Sequence, residues 1–250
     1  MSGSRLETRL MTYLRRNRVE GFAERLKYRM GQHFRSLALE NRSVLEIGAG
    51  SGFVSAFCVA KGASKVIALE PGISGSRDNV QEEFVRMSES LGLTGIIDYR
   101  RHSFERFVEN YEGEPFDYIV MWNVINHLNE DATTRLHLRG AHAERAIFIS
   151  HFRNMYQLLN SSGVLIFSDV ARQNFWNAIG VKYFTPSSIQ WHKHQQPKLW
   201  WKLLSEAGFD SVRIRWVTPY TLRRFSFFLS WNLPTYLMSS SFIVKSYKRK

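Results

Sequence analysis

With Cys58 as the only cysteine in 250 residues, no intramolecular disulfide can form. A stapled secreted scaffold is thereby excluded, and the thiol, set among apolar residues, reads as a small buried side chain rather than a nucleophile. Long apolar runs are missing too. No stretch reaches the ~18 residues of a membrane span, and the first residues hold no apolar signal region. A cytoplasmic protein is expected, with attachment to the inner face of a membrane left open. Acidic side chains are scarce at both ends. Residues 171–250 carry 13 basic and 2 acidic side chains, residues 1–40 carry 9 and 4, and residues 41–170 carry 12 and 16, within a formal net charge of +12. Basic ends favour an anionic partner, although solvated faces would account for the same charge. No internal repeat or low-complexity linker appears. The length and the 44% apolar content suit one α/β domain with embellishments.

The most informative stretch is Val44-Leu45-Glu46-Ile47-Gly48-Ala49-Gly50-Ser51-Gly52, an apolar strand running into three glycines spaced two apart. Glycine permits the sharp turn and removes the Cβ atoms that would hold a ligand away. A second apolar strand, Lys65-Val66-Ile67-Ala68-Leu69, ends in Glu70, 20 residues after Gly50. A carboxylate there is placed to accept from the hydroxyls of a ribose. Dinucleotide enzymes prefer G-x-G-x-x-G and a pyrophosphate on the helix N-terminus, whereas this turn reads G-x-G-x-G, is preceded by Glu46 and has no phosphate-binding lysine.

Leu6, Leu10 and Leu14, then Phe22, Leu26, Met30 and Phe34, recur every four residues, so residues 1–40 are expected as two amphipathic helices interrupted near Gly21, a lid over the cofactor cleft. Strands are expected at 43–47, 65–69, 97–101, 117–122 and 163–168, alternating with helices in a doubly wound sheet, with 211–217 and 240–247 as a terminal antiparallel pair. In such sheets ligands lie beyond the carboxyl ends of the strands, where Glu46, Glu70, Ser103, Trp122 and Asp169 fall. Two stretches stand outside the scheme. Residues 170–200 are rich in aromatic and basic side chains and are expected to build an acceptor pocket with Asp169, Tyr183, Trp191 and Lys193. Residues 220–238 mix aromatics with cations as interfacial segments do, with a buried cap or a subunit contact as the commoner explanation.

The turn and Glu70 together closely resemble the first two motifs of the class I S-adenosylmethionine-dependent methyltransferases. Phe116-Asp117-Tyr118-Ile119-Val120-Met121-Trp122 is similar to the family's fourth strand, and residues 158–169 are similar to its helix, turn and fifth strand. The resemblance implies an α/β, Rossmann-like, seven-stranded sheet over residues 41–250, with S-adenosyl-L-methionine as cofactor and no metal. It implies a cofactor site drawn from Glu46, Gly48, Ala49, Gly50 and Gly52, from Glu70 and Pro71, and from Trp122 and Asn123. After the third strand the family often has an acid at the adenine; this chain reads Tyr99-Arg100-Arg101-His102-Ser103-Phe104-Glu105, so Ser103 and Phe104 take that role. The stretch from Ser168-Asp169 through Trp191-His192-Lys193-His194-Gln195 to Trp200 also resembles a bacterial subgroup that O-methylates glycans and natural products.

Methyl transfer to a hydroxyl needs positioning and a base, and histidine is the natural choice near neutral pH. His127, His192 and His194 qualify, with His151 and Asp169 secondary. If residues 191–195 are extended, His192 and His194 share one side and Trp191 and Lys193 the other. Such an H-x-H pair could bind metal, but no Asp, Glu or Cys cluster completes a ligand set. The expected partner is a small-molecule or glycan acceptor, anionic and lipid-linked ones included. Nucleic-acid methylation competes on the strength of the basic ends, yet positions 123–126 read Asn-Val-Ile-Asn where base amino-methylating enzymes carry [DNS]-P-P-[YF], and no Pro-Cys nucleophile exists. A catalytically silent cofactor-binding subunit is the remaining alternative.

Overall fold

The computed structural model describes residues 3–72, 79–181, 189–225 and 232–249. Seven strands make one mixed sheet in the order β3-β2-β1-β4-β5-β7-β6: β1 Ser43–Ile47, β2 Lys65–Leu69, β3 Ile97–Arg100, β4 Phe116–Trp122, β5 Leu159–Val170, β6 Ser211–Trp216 and β7 Ser241–Tyr247. This is the Rossmann-like α/β sheet that the strand–helix alternation calls for. Within it the chain divides into two compact units, residues 1–121 and 122–250.

In the first unit β1 pairs in parallel with β2 and β4, and β2 with β3. Val44, Leu45, Val66, Ile67, Ala68, Leu69, Ile119, Val120 and Met121 are all buried, as continuous apolar strands covered on both faces must be. The expected N-terminal helices form as α1, Gly3–Asn17, and α2, Phe22–His33, with a left-handed Gly21 between them. Leu6, Leu10 and Leu14 of α1 and Leu26 and Met30 of α2 are buried, so the four-residue spacing marks a real inner face. Burying each contributes about 1.5–3 kcal/mol. Two further helices, α3 Phe53–Ala60 and α4 Val80–Leu91, complete the surroundings of the glycine turn. Helix α1 is tied to them by the ion pair of Glu7 with Lys61 at 2.6 Å and by Arg9 Nη2 donating to the Ser90 carbonyl at 2.7 Å.

In the second unit β7 lies antiparallel to both β5 and β6, which is the expected terminal pair. The fifth strand differs from its expected start at 163. It begins at Leu159, directly after α7, His142–Leu158, and the turn expected there survives as a left-handed Ser162 inside the strand, with φ 65°. Helix α9, Pro197–Glu206, opens on its proline, whose fixed φ and missing N–H suit the first helical position. Its Trp200 packs edge-on against Phe148, Phe152 and Phe167, the aromatic core of this unit. Two short helices, α8 Phe175–Ala178 and α10 Asn232–Met238, occupy the stretches outside the regular alternation. Among the described residues no helix is long and apolar enough to cross a membrane.

Candidate active site

The glycine turn leaves β1 with Gly48, Gly50 and Gly52 all at positive φ. Gly48 and Ala49 donate their N–H groups to the Leu69 carbonyl at 2.9 Å, which pins the turn to the end of β2. Two of the glycines serve different ends. A Cβ on Gly52 would lie 2.5 Å from the Phe84 ring of α4, so that glycine makes room for a later helix rather than for the one it starts. A Cβ on Gly50 would meet nothing within 4 Å. Gly50 is therefore favoured by its φ of 52°, and the open space beside it leaves its backbone accessible to a ligand.

Glu70 closes this turn. Its Oε2 accepts from Gly50 N–H at 2.7 Å and its Oε1 from Gly72 N–H at 3.3 Å, so a buried carboxylate is held at the tip of β2 by backbone donors. Glu46, at 2% exposure, accepts a hydrogen bond from the Ser55 hydroxyl. Burial pushes its pKa up to about 8, partly offset by Ser55 and reinforced by Glu70. Two features that sequence reasoning missed complete the cradle. Tyr99 of β3 donates its hydroxyl to the Gly50 carbonyl at 3.0 Å and stacks on Phe84 at 4.1 Å. Arg18, just past α1, pairs with Glu83 and approaches the Ser51 hydroxyl at 3.5 Å, its guanidinium 4.6 Å over the Phe53 ring. Neither had a local signal, because each reaches the turn from more than 30 residues away.

Pro71 is half-buried beside Glu70. Ser103 and Phe104 have local structural employment: the Ser103 oxygen accepts from Arg106 N–H at 3.3 Å as the N-cap of α5, Phe104–Asn110, and the Phe104 side chain is buried. The capping role was legible, since serine ahead of an apolar helix start is the preferred cap. An open Gly50 and a buried carboxylate held among backbone N–H groups nonetheless fit a nucleoside-type cofactor with a ribose to bind.

The second unit holds the candidate chemistry. Trp122 is half-buried at the end of β4. Asn123 follows with φ 55° and is fixed to β5 twice: its N–H donates to the Ser168 carbonyl at 3.1 Å, and its side-chain oxygen accepts from the Ser168 hydroxyl at 3.1 Å. A left-handed non-glycine residue locked by two bonds is a pre-organised position. The expected extended pairing of His192 with His194 is not what forms. Trp191–Lys193 make a single 3-10 turn, because the segment has only a few residues before α9 starts at Pro197, and the two imidazoles take different environments. His192 is exposed, and Arg172 donates to its carbonyl at 2.6 Å. His194 Nδ1 instead sits 2.7 Å from Oδ1 of Asp169, whose side chain has no exposure. Burial pushes the Asp169 carboxyl up, and His194 and the Trp200 indole pull it back.

His127 and Lys193 come together through a residue with no role in the sequence reading. Glu130, the first residue of α6, Glu130–Arg135, accepts from His127 Nδ1 at 2.6 Å and from Lys193 Nζ at 2.7 Å. Those two bonds hold its carboxyl below the usual carboxylate range, Lys193 contributing most and burial opposing. Below them Gln195, fully buried, donates to the Thr133 carbonyl. His151 lies on the buried side of α7, edge-on to Phe148 at 5.9 Å. Trp191 is half-buried, and Tyr183 lies outside the described residues. Among the described residues no group of three or more His, Cys, Asp or Glu is placed to hold a metal ion.

Compared with known proteins, residues 15–224 match the family described as Methyltransferase domain. A curated relative, the ribosomal protein L11 methyltransferase of Prochlorococcus marinus (strain MIT 9515), is 26% identical over 154 residues, which are 59% of this chain and 49% of that protein. The chain thus spans about half the length of the curated relative it matches. Among solved structures, a SAM-dependent methyltransferase from Archaeoglobus fulgidus has a TM-score of 0.53 at 14% identity, with 95% of this chain and 98% of that one covered. An S-adenosylmethionine-dependent methyltransferase from Mesorhizobium loti gives 0.52 at 14% identity over 84% and 93%. At such identities the shared property is the fold.

Proposed function

The chain belongs to the methyltransferase-domain family, with S-adenosyl-L-methionine as its cofactor, and from that premise we propose that it methylates a hydroxyl oxygen of a small-molecule or glycan acceptor. The observation that carries the choice of oxygen is the His194–Asp169 pair at the carboxyl end of β5, 2.7 Å apart with the carboxylate fully buried. Ligands of doubly wound sheets lie beyond such strand ends. With Asp169 ionised, Nδ1 of His194 is the donor, and Nε2 is the nitrogen that can take a proton. When bound, the cofactor supplies an electrophilic methyl group. The protein's own part is to orient the acceptor and to receive its hydroxyl proton on His194 Nε2 as the new C–O bond forms. Lys193 and His127, bridged by Glu130, offer polar partners for the acceptor's other groups. Residues 1–40 serve as a lid through Arg18, which links α1 to Ser51 and Glu83 beside the glycine turn.

Screening acceptor classes with the cofactor present, and weighing the products by mass spectrometry, tests this directly. A gain of one methyl on a sugar or other hydroxyl compound is the expected result. Methylation confined to amines of a protein such as the one in the curated relative's name, or to RNA, would overturn the oxygen assignment. Cofactor capture has its own test. Charge-assisted hydrogen bonds of the kind Glu70 can offer a ribose contribute about 1.5–3 kcal/mol, so Glu70→Ala should weaken S-adenosyl-L-methionine at least about ten-fold by calorimetry. Because Glu70 also holds Gly50 and Gly72, Glu70→Gln serves as the companion that keeps the side chain's shape. Full affinity in both folded variants would remove that carboxylate from the cofactor site.

A further inference from the structure

Residues 225–244 contain no charged side chain, yet they are bounded by Arg223 and Arg224 on one side and Lys245 on the other. A serine-rich run broken by Pro234 is no span. Its described part and the residues that follow α8 nevertheless leave large apolar side chains in water: Leu233 is 70% exposed and Phe225 57%, and Met238, Ile179 and Val181 are exposed as well. Aromatic contacts join these elements. Trp176 Nε1 donates to the Leu237 carbonyl at 2.7 Å, and the Tyr236 ring contacts Phe175 at 5.8 Å and Trp216 at 4.8 Å, so α8 and α10 are joined. Arg223 and Arg224 are both exposed, the former lying 4.2 Å over the Tyr220 ring. Within residues 171–250 acidic groups do little to offset them. The two acids of residues 171–250, Glu206 and Asp210, are already paired with Lys202 and Arg249.

We propose that α8, α10 and the 3-10 turn Tyr220–Phe225 dock on an anionic lipid bilayer, the apolar side chains entering the headgroup boundary and Arg223 and Arg224 meeting lipid phosphates. Charge complementarity chooses this occupant, and the exposed aliphatics separate it from a nucleic acid. A polyanion in water gains from the arginines but nothing from Leu233 or Ile179, whereas an interface rewards both. Each basic side chain close to an anionic leaflet strengthens binding about five-fold. Lipid-linked acceptors would then be met at the surface that carries them.

Vesicle flotation of the full chain tests the proposal, comparing phosphatidylcholine vesicles with and without phosphatidylglycerol. Binding is expected to the anionic vesicles only and to fall as salt rises. The double variant Arg223→Glu/Arg224→Glu should weaken it about ten-fold or more, and Ile179→Ser/Leu233→Ser several-fold, with melting temperature and cofactor affinity unchanged in both. No capture by anionic vesicles overturns the proposal. So does an aliphatic variant that binds like the parent while charge reversal abolishes binding, and single-stranded RNA captured equally well by that aliphatic variant would then assign the face to nucleic acid.

Discussion

His194→Ala should lower turnover by about 10²-fold or more and flatten the acidic limb of the pH–rate profile, while His192→Ala leaves both within about two-fold of the parent. The two imidazoles are two residues apart, so only their surroundings set this difference. His192 is exposed and contributes a backbone carbonyl to Arg172, whereas His194 is held by a fully buried carboxylate. Asp169→Asn keeps the size of that partner but can present an N–H to Nδ1, which would leave Nε2 carrying the hydrogen. It should therefore cost turnover with little change in cofactor affinity, the mark of a positioning residue. Replacement of a buried hydrogen-bonded group also destabilises, so each variant is compared at a temperature where circular dichroism shows it folded. Near-normal turnover and pH dependence in His194→Ala would make the pair structural and pass the base to His127, whose Nδ1 is held by Glu130.

The strands and the glycine turn were legible because each rests on contiguous residues. Val44–Ile47 and Lys65–Leu69 are apolar runs, and the parallel register of β1 on β2 brings Ile47 level with Leu69, which puts the turn beside Glu70. The terminal antiparallel pair has a different signal, the alternation of Val212 and Ile214 with Arg213 and Arg215 in β6 and the apolar Phe242-Ile243-Val244 of β7. What periodicity could not reveal are contacts closed over long loops. Tyr99 reaches Gly50 across 49 residues and Lys193 reaches Glu130 across 63. The local error at 191–195 has a different origin. Alternation of side chains presumes extended backbone, and a short link into a proline-started helix favours a tight turn instead. The charge asymmetry was visible in composition, but which apolar side chains of this region stay exposed emerged only from the fold.

Glu46→Gln should make the protein less sensitive to alkaline pH, with a difference on the order of 3–5 kcal/mol between the two proteins' pH responses. Glu46 is buried at the end of β1, and its pKa is raised from 4.5 to about 8, chiefly by burial, against the lowering effect of Ser55 and with a further upward push from Glu70. Cys58 and Tyr99 are pushed upward chiefly by burial, and Glu46 adds to both shifts, so they sense the same charge. Because the folded chain holds the proton more tightly than the unfolded one, the stability this carboxyl contributes is fully present below about pH 4.5. It falls as pH rises from there and is lost as pH passes through about 8. A glutamine keeps the neutral shape and the bond to Ser55 at every pH. Denaturant unfolding of both proteins between mildly acidic and mildly alkaline buffers isolates the effect, because titrating groups that do not sense Glu46, Asp169 among them, cancel in the difference, while Cys58 and Tyr99 are both pushed upward and stay protonated over that range. The parent should match or exceed the variant at the acidic end and fall below it at the alkaline end. A difference that stays flat across the range would mean that water or a nearby cation already solvates Glu46, and the carboxyl beside the glycine turn would then be charged when the cofactor arrives.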